Sequence, residues 1–240
     1  MGGHRGLLPG RRLAQPHRYA WVRLLDPPER LGAGPWPGGL TGARVAGGSA
    51  TRSRGGGRRV EACLLVALGD SITYGYPYGR RASWVAIAEE TCGKRLVNAG
   101  VPGDTTARLL ARFDADVPVH APRYVLVLGG TNDARAGVLP REVWAHLAAI
   151  CAAARGHGIV PVVGLPPPLA GPEESRLQEY RTGLGTWGQA VVDFRSPFLD
   201  AQGKVRAGLL RDGIHPTREG YRLMARALLD SRAVPELAGR

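Results

Sequence analysis

Beyond residue 60, five short apolar runs recur along the chain, at residues 60–68, 95–97, 123–128, 159–164 and 191–194. Runs of this length bounded by polar or glycine-rich breaks read as buried strands, and Tyr-Val-Leu-Val-Leu at 124–128 is the clearest. Between them the apolar positions switch to helical spacing. Trp84, Val85, Ile87 and Ala88 mark a helix over 83–92 that Gly93 ends, and Leu109, Leu110 and Phe113 mark one capped by Asp104 or Thr105. Val143, Trp144, Leu147, Ile150, Cys151 and Ala154 mark a third over 141–155, and two more are expected at 173–188 and 217–229, the last with Pro216 as its first residue. Two features sit awkwardly in this reading. Pro161 falls within the fourth strand, which an interior strand accepts only near its first residue, and Gly183 and Gly185 weaken the helix over 173–188. The alternation of strand and helix predicts an α/β fold: one doubly wound parallel sheet covered by helices on both faces, without an internal repeat or a second core.

In such a sheet every strand ends on the same edge, and that edge binds ligands. Gly69-Asp70-Ser71-Ile72-Thr73 follows the first strand and is expected to leave the Ser71 hydroxyl exposed. A glycine-rich turn, 98–106, follows the second and contains Gly103; Gly129-Gly130-Thr131-Asn132-Asp133 follows the third; Asp212-Gly213-Ile214-His215-Pro216 lies beyond the fifth. Each residue alone has an ordinary explanation as a turn former or helix cap. Converging on one rim, they match the needs of acyl transfer. Serine is inert until a base takes its proton; imidazoles in general can act as bases near neutral pH, so His215 can be that base, and Asp212 three residues earlier can fix its tautomer. The N–H groups of Ser71 and Gly103 and the Asn132 amide can serve as oxyanion donors. Asp70 reads as a turn and hydrogen-bonding residue. Tyr74, Tyr76 and Tyr78 fill a loop over 71–80, either lining an acyl or aryl pocket or packing with wet hydroxyls. Leu165 opens a stiff stretch with four prolines by residue 172. Tyr74, Tyr76 and Leu165 are the expected substrate contacts.

Composition separates the chain into two parts. Residues 1–60 hold 14 glycines, 6 prolines and 11 arginines, with Asp26 and Glu29 as their only acidic residues, so most of the chain's net charge of +12 lies there. Residues 1–59 are therefore expected to be disordered, and residues 60–240 to form the catalytic domain. The basic arm can touch nucleic acid through charge alone, and a nucleic-acid-binding role is the reading from another class; a solvated tail is the simpler one. A third reading is that residues 1–59 are not part of the natural protein: residues 53–59 resemble a translated purine-rich ribosome-binding stretch, and a GTG start would stand at Val60. Cys63, Cys92 and Cys151 form no CxxC and are odd in number, which predicts reduced thiols. No zinc motif and no P-loop is present, so neither metal nor cofactor is expected. No stretch reaches the roughly 20 apolar residues of a membrane span, and Glu61 interrupts the one resemblance to a signal peptide, so cytoplasmic residence is expected.

Leu-Gly-Asp-Ser-Ile-Thr at 68–73, Asn-Ala-Gly-Val-Pro-Gly-Asp-Thr-Thr at 98–106, Gly-Gly-Thr-Asn-Asp at 129–133 and Asp-Gly-Ile-His-Pro at 212–216 occur in an order that resembles the SGNH or GDSL hydrolases. The resemblance spans about residues 61–230 and looks closest to the lysophospholipase, thioesterase and arylesterase branch. It implies a flavodoxin-like three-layer α/β/α fold, Ser71 as nucleophile, His215 as base and Asp212 as its orienter. It puts Asn132 and a glycine in the oxyanion hole; Gly103 is preferred because Asp-Thr follows it, and Gly100 is its rival. It also implies a small-molecule ester substrate: small to medium acyl, aryl or thioesters, with carbohydrate O-acetyl esters as the alternative.

Overall fold

The computed structural model describes residues 62–185 and 187–237. The expectations for residues 1–59, including the disordered arm, its nucleic-acid role and the start at Val60, fall outside the described residues. The chain runs β1 (Leu65–Gly69), α1 (Ser71–Tyr74), α2 (Trp84–Cys92), β2 (Leu96–Gly100), α3 (Thr106–Asp116), β3 (Tyr124–Leu128), α4 (Thr131–Ala136), α5 (Pro140–Gly156), β4 (Val160–Leu165), α6 (Glu174–Leu184), β5 (Ala190–Asp193) and α7 (Arg218–Leu229). The five strands form one sheet in the order β2-β1-β3-β4-β5, all parallel.

Side chains alternate across this sheet with the period of two that a strand imposes. Leu65, Ala67, Leu126, Leu128, Val162 and Val192 face one layer, where Trp84, Val85 and Ala88 of α2 meet Tyr221, Met224 and Leu228 of α7. Val66, Leu68, Val125, Val127 and Val163 face the other, against Leu109 and Phe113 of α3, Leu147 and Ile150 of α5 and Leu177 and Tyr180 of α6. Strands buried on both faces account for their unbroken apolar runs. Trp84 is fully buried with its ring 5.0 Å from Phe194, and truncating such a side chain costs roughly 3–5 kcal/mol.

Local chemistry explains where the structure departs from the sequence reading. Ser71–Tyr74 is a one-turn helix, not the start of a loop. The second strand runs on through Asn98-Ala99-Gly100, because on this edge strand the Asn98 carboxamide accepts from the Gly100 N–H (2.9 Å) and Arg80 donates to the Gly100 carbonyl (2.9 Å). Neither Asp104 nor Thr105 caps α3 with its side chain; the Asp133 carboxylate reaches across from α4 and accepts from the Thr106 N–H (3.0 Å). Thr217, not Pro216, borders α7, its hydroxyl accepting from Gly220. Pro161 is the second residue of β4. Its predecessor's N–H donates to the Arg123 carbonyl on the β3 side, so the N–H that proline lacks would point toward β5, whose pairing begins only at Val162. Gly183 stays inside α6 because a Cβ there would lie 2.3 Å from the Trp144 ring.

Candidate active site

The strand order reverses direction between β1 and β3, and the crevice beyond their carboxyl ends is where this topology binds ligands. Ser71 follows β1 and Asn132 follows β3. Asp70 links β1 to α1 as its N-cap, accepting from the Ile72 N–H at 2.8 Å. Ser71 is then the first helical residue, whose N–H has no intrahelical acceptor, and among the described residues it has no other. The residue is 8% exposed, against the open hydroxyl expected from the sequence. His215 covers it: the imidazole Nε2 lies 3.0 Å from Ser71 Oγ.

His215 Nδ1 lies 2.8 Å from Asp212 Oδ2, so a proton on Nδ1 leaves the Nε2 lone pair facing the serine hydroxyl. The other carboxylate oxygen of Asp212 accepts from the N–H groups of Ile214 (3.1 Å) and His215 (2.8 Å). Partial burial pushes this carboxyl up, but the backbone donors and the imidazole outweigh it and hold Asp212 below the usual aspartate value. A proline-rich loop supports the Asp212–His215 turn from outside. Ala170 donates its N–H to the Gly213 carbonyl (2.7 Å), and the buried Arg181 donates to the carbonyls of Pro166 (2.9 Å) and Pro167 (2.7 Å) while pairing with Glu174 (2.7 Å). Residue spacing gave no hint of the bonds from Arg181 to the loop, whose carbonyls lie 14 and 15 positions away.

Gly103 turns the chain at φ +86°, and its N–H has no acceptor among the described residues. The N–H of its rival Gly100 is already given to Asn98. Asn132 Nδ2 donates to the Asp104 carbonyl (2.8 Å) and lies 3.5 Å from Asp70 Oδ2. Behind these donors two carboxyls are buried. Desolvation pushes Asp70 up to about 7, with the nearby Asp133 and Asp104 adding to the rise and the Ile72 N–H opposing it. Desolvation also raises Asp133, although the N–H and hydroxyl of Thr106 hold it.

Of the three expected substrate contacts, Tyr76 is at the site: its ring centroid is 4.6 Å from that of His215, and the residue is 45% exposed. Its carbonyl is tied down by the Tyr221 hydroxyl (2.7 Å). Tyr74 instead stacks under the Arg80 guanidinium, 4.7 Å from the ring centroid, on the β2 side. Leu165 ends β4, half-buried against the α3–α5–α6 layer. Among the described residues, no helix is long and apolar enough to cross a membrane.

Residues 67–223 match the GDSL-like lipase/acylhydrolase family. Esterase TesA of Pseudomonas aeruginosa is 33% identical over 168 residues, covering 66% of this chain and 82% of that protein. The thioesterase 1/protease 1/lysophospholipase L1 of Escherichia coli is 38% identical over 87 residues, 35% of this chain and 42% of that protein. A solved structure described as a lipolytic protein of the G-D-S-L family from Desulfitobacterium hafniense superposes with a TM-score of 0.65 at 32% identity, over 69% of this chain and 97% of its own. The matched span runs from the middle of β1 to the middle of α7 and so takes in all four motif loops at the sheet edge; the chain belongs to the GDSL-like lipase/acylhydrolase family.

Proposed function

We propose that within this family the chain is a serine esterase that works through an acyl-enzyme on Ser71, with small to medium acyl, aryl or thioesters as substrates. The observation that carries the reading is the unbroken relay from Ser71 Oγ to His215 (3.0 Å) and on to Asp212 (2.8 Å). As Ser71 Oγ bonds to the ester carbonyl carbon, His215 Nε2 takes the hydroxyl proton and the carbonyl electron pair moves onto oxygen. The N–H groups of Ser71 and Gly103 and the Asn132 amide then face that oxyanion; removing one such donor typically costs about 100- to 1000-fold. Collapse of the intermediate breaks the bond to the leaving group, which receives the proton from His215. Water, deprotonated by the same imidazole, releases the acid and restores Ser71.

The exposed Tyr76 ring beside His215 supports an aryl or acyl group at the leaving side, since an aromatic face stacks on flat apolar groups. Leu165 packs into the α3–α5–α6 layer and residues 166–169 are buried, so the preference for an acyl or aryl group over a sugar rests on Tyr76. The test is hydrolysis of p-nitrophenyl esters from acetyl to palmitoyl by the full chain, with Ser71→Ala as control. Serine-dependent turnover with an optimum above acetyl is expected. Turnover equal in Ser71→Ala overturns the nucleophile assignment, and turnover of the acetyl ester alone overturns the substrate class.

A further inference from the structure

Arg112 lies on α3, away from the relay, with only 17% of its side chain exposed. Its guanidinium is nonetheless the point where three separate segments of the site meet. Nη2 donates to the carbonyls of Gly69 (2.9 Å) and Ala99 (2.8 Å), the ends of β1 and β2, and Nε donates to the Asp104 carboxylate (2.7 Å). Nη1 pairs with Asp116 one helical turn on (2.6 Å). The β1–β2 ladder stops here, its last backbone bond running from the Val101 N–H to the Gly69 carbonyl (2.9 Å), and Arg112 supplies further donors at this end of the two strands.

Two of these acceptors lie close in sequence to proposed oxyanion donors. Gly69 is two residues before Ser71, and Asp104 directly follows Gly103. The Asp104 carbonyl accepts from Asn132 Nδ2 (2.8 Å), so Asp104 is held through its carboxylate by Arg112 and through its backbone by Asn132. A planar fork with five donors can bond in fixed directions to both carbonyls and the carboxylate at once; a lysine ammonium has the charge without the fork. From this juxtaposition we propose that Arg112 is a positioning residue of the reaction: it sets the spacing between the Ser71 N–H, the Gly103 N–H and the Asn132 amide, and so tunes how well they fit the transition state. The inference rests on the acyl-enzyme reading above. Misplacing catalytic groups by about 1 Å costs on the order of 100-fold, which sets the scale of the effect.

The experiment compares wild type, Arg112→Lys, Asp104→Asn and Asp116→Asn, with active sites counted by stoichiometric labelling of Ser71 with diethyl p-nitrophenyl phosphate. Steady-state hydrolysis of a p-nitrophenyl ester is expressed per labelled site, and binding of phenylboronic acid, which forms a tetrahedral adduct, is measured alongside. Per-site kcat should fall about 10- to 100-fold in Arg112→Lys with KM within about twofold, and boronate affinity should fall in parallel. Asp104→Asn should move the same way by less, and Asp116→Asn should stay near wild type because Asp116 bonds Nη1, leaving the Nη2 and Nε bonds to the two carbonyls and Asp104 in place. If Arg112→Lys folds poorly, Asp104→Asn carries the test. A merely structural role predicts fewer labelled sites with unchanged kcat per site and unchanged boronate affinity, and that result in both variants overturns the inference alone. A wild type that turns over ester without Ser71 taking the label overturns the acyl-enzyme reading and the inference with it.

Discussion

Ser71 stands where a strand ends and a helix begins, 8% exposed, on a rim tied together by Arg112, Asp104, Asn132 and Asp133, whereas Asp212 stands in a loop with 44% of its side chain in solvent. The half that carries the proposed nucleophile is assembled from three strand ends and two helices distant in sequence. The acid–base half is almost self-contained: Asp212 accepts from the N–H groups of Ile214 and His215 with one oxygen and orients the imidazole with the other, all within four residues. The comparison teaches that the two halves should fail differently. Damage to the local turn should remove activity and leave the fold, while changes in the buried half should register in stability as well.

The largest expected effect is that of His215→Ala, which removes the proposed base and should lower kcat on the order of 10⁵-fold. Asp212→Asn should follow at about 10³- to 10⁴-fold. The two backbone donors require an oxygen at Oδ1, so the new NH₂ group faces Nδ1 and favours the tautomer with its proton on the wrong nitrogen. Its melting temperature should stay within about 2 °C of wild type, because the turn keeps its backbone acceptor. A loss in Asp212→Asn equal to that in His215→Ala would mean orientation matters as much as the base itself; a large drop in melting temperature would show the turn is not self-contained.

The smallest effect belongs to the buried half and appears in stability. Asp70 has its ordinary value near 3.8 when unfolded and about 7 in the fold, so the folded state binds the proton more tightly. Its contribution is most favourable below the unfolded value and is lost as pH rises toward 7. Asp70→Asn keeps an acceptor for the Ile72 N–H without the titration. Its advantage over wild type should therefore grow between about pH 4 and 7 and level off above. About three pK units set an upper limit of about 4 kcal/mol, and a gain of about 5 °C in melting temperature at pH 8 relative to pH 4.5 is expected. A difference independent of pH would mean that the fold leaves Asp70 at its ordinary value.

The same contrast explains what could be read from the chain. The strands declared themselves as apolar runs, and the acid–base half as one local motif, Asp-Gly-Ile-His. The one-turn helix at Ser71 did not, since Ser-Ile-Thr-Tyr has little helical preference and depends on Asp70 as its cap and on its place at the strand end. The second strand looked like a turn from Asn98 onward because the side chains that satisfy its outer edge are its own Asn98 and the distant Arg80. Arg112 carried no signal beyond its four-residue spacing to Asp116; its bonds to Gly69 and Ala99 exist only once the strands are paired.

The most direct measurement is the mass of the full-length protein quenched during turnover of a p-nitrophenyl ester, followed by mapping of the modified peptide. The account predicts a population heavier by the acyl group, with the mass on Ser71 and absent in Ser71→Ala. Turnover with no acyl adduct on any quench timescale, or an adduct on another residue with Ser71→Ala still active, would contradict it.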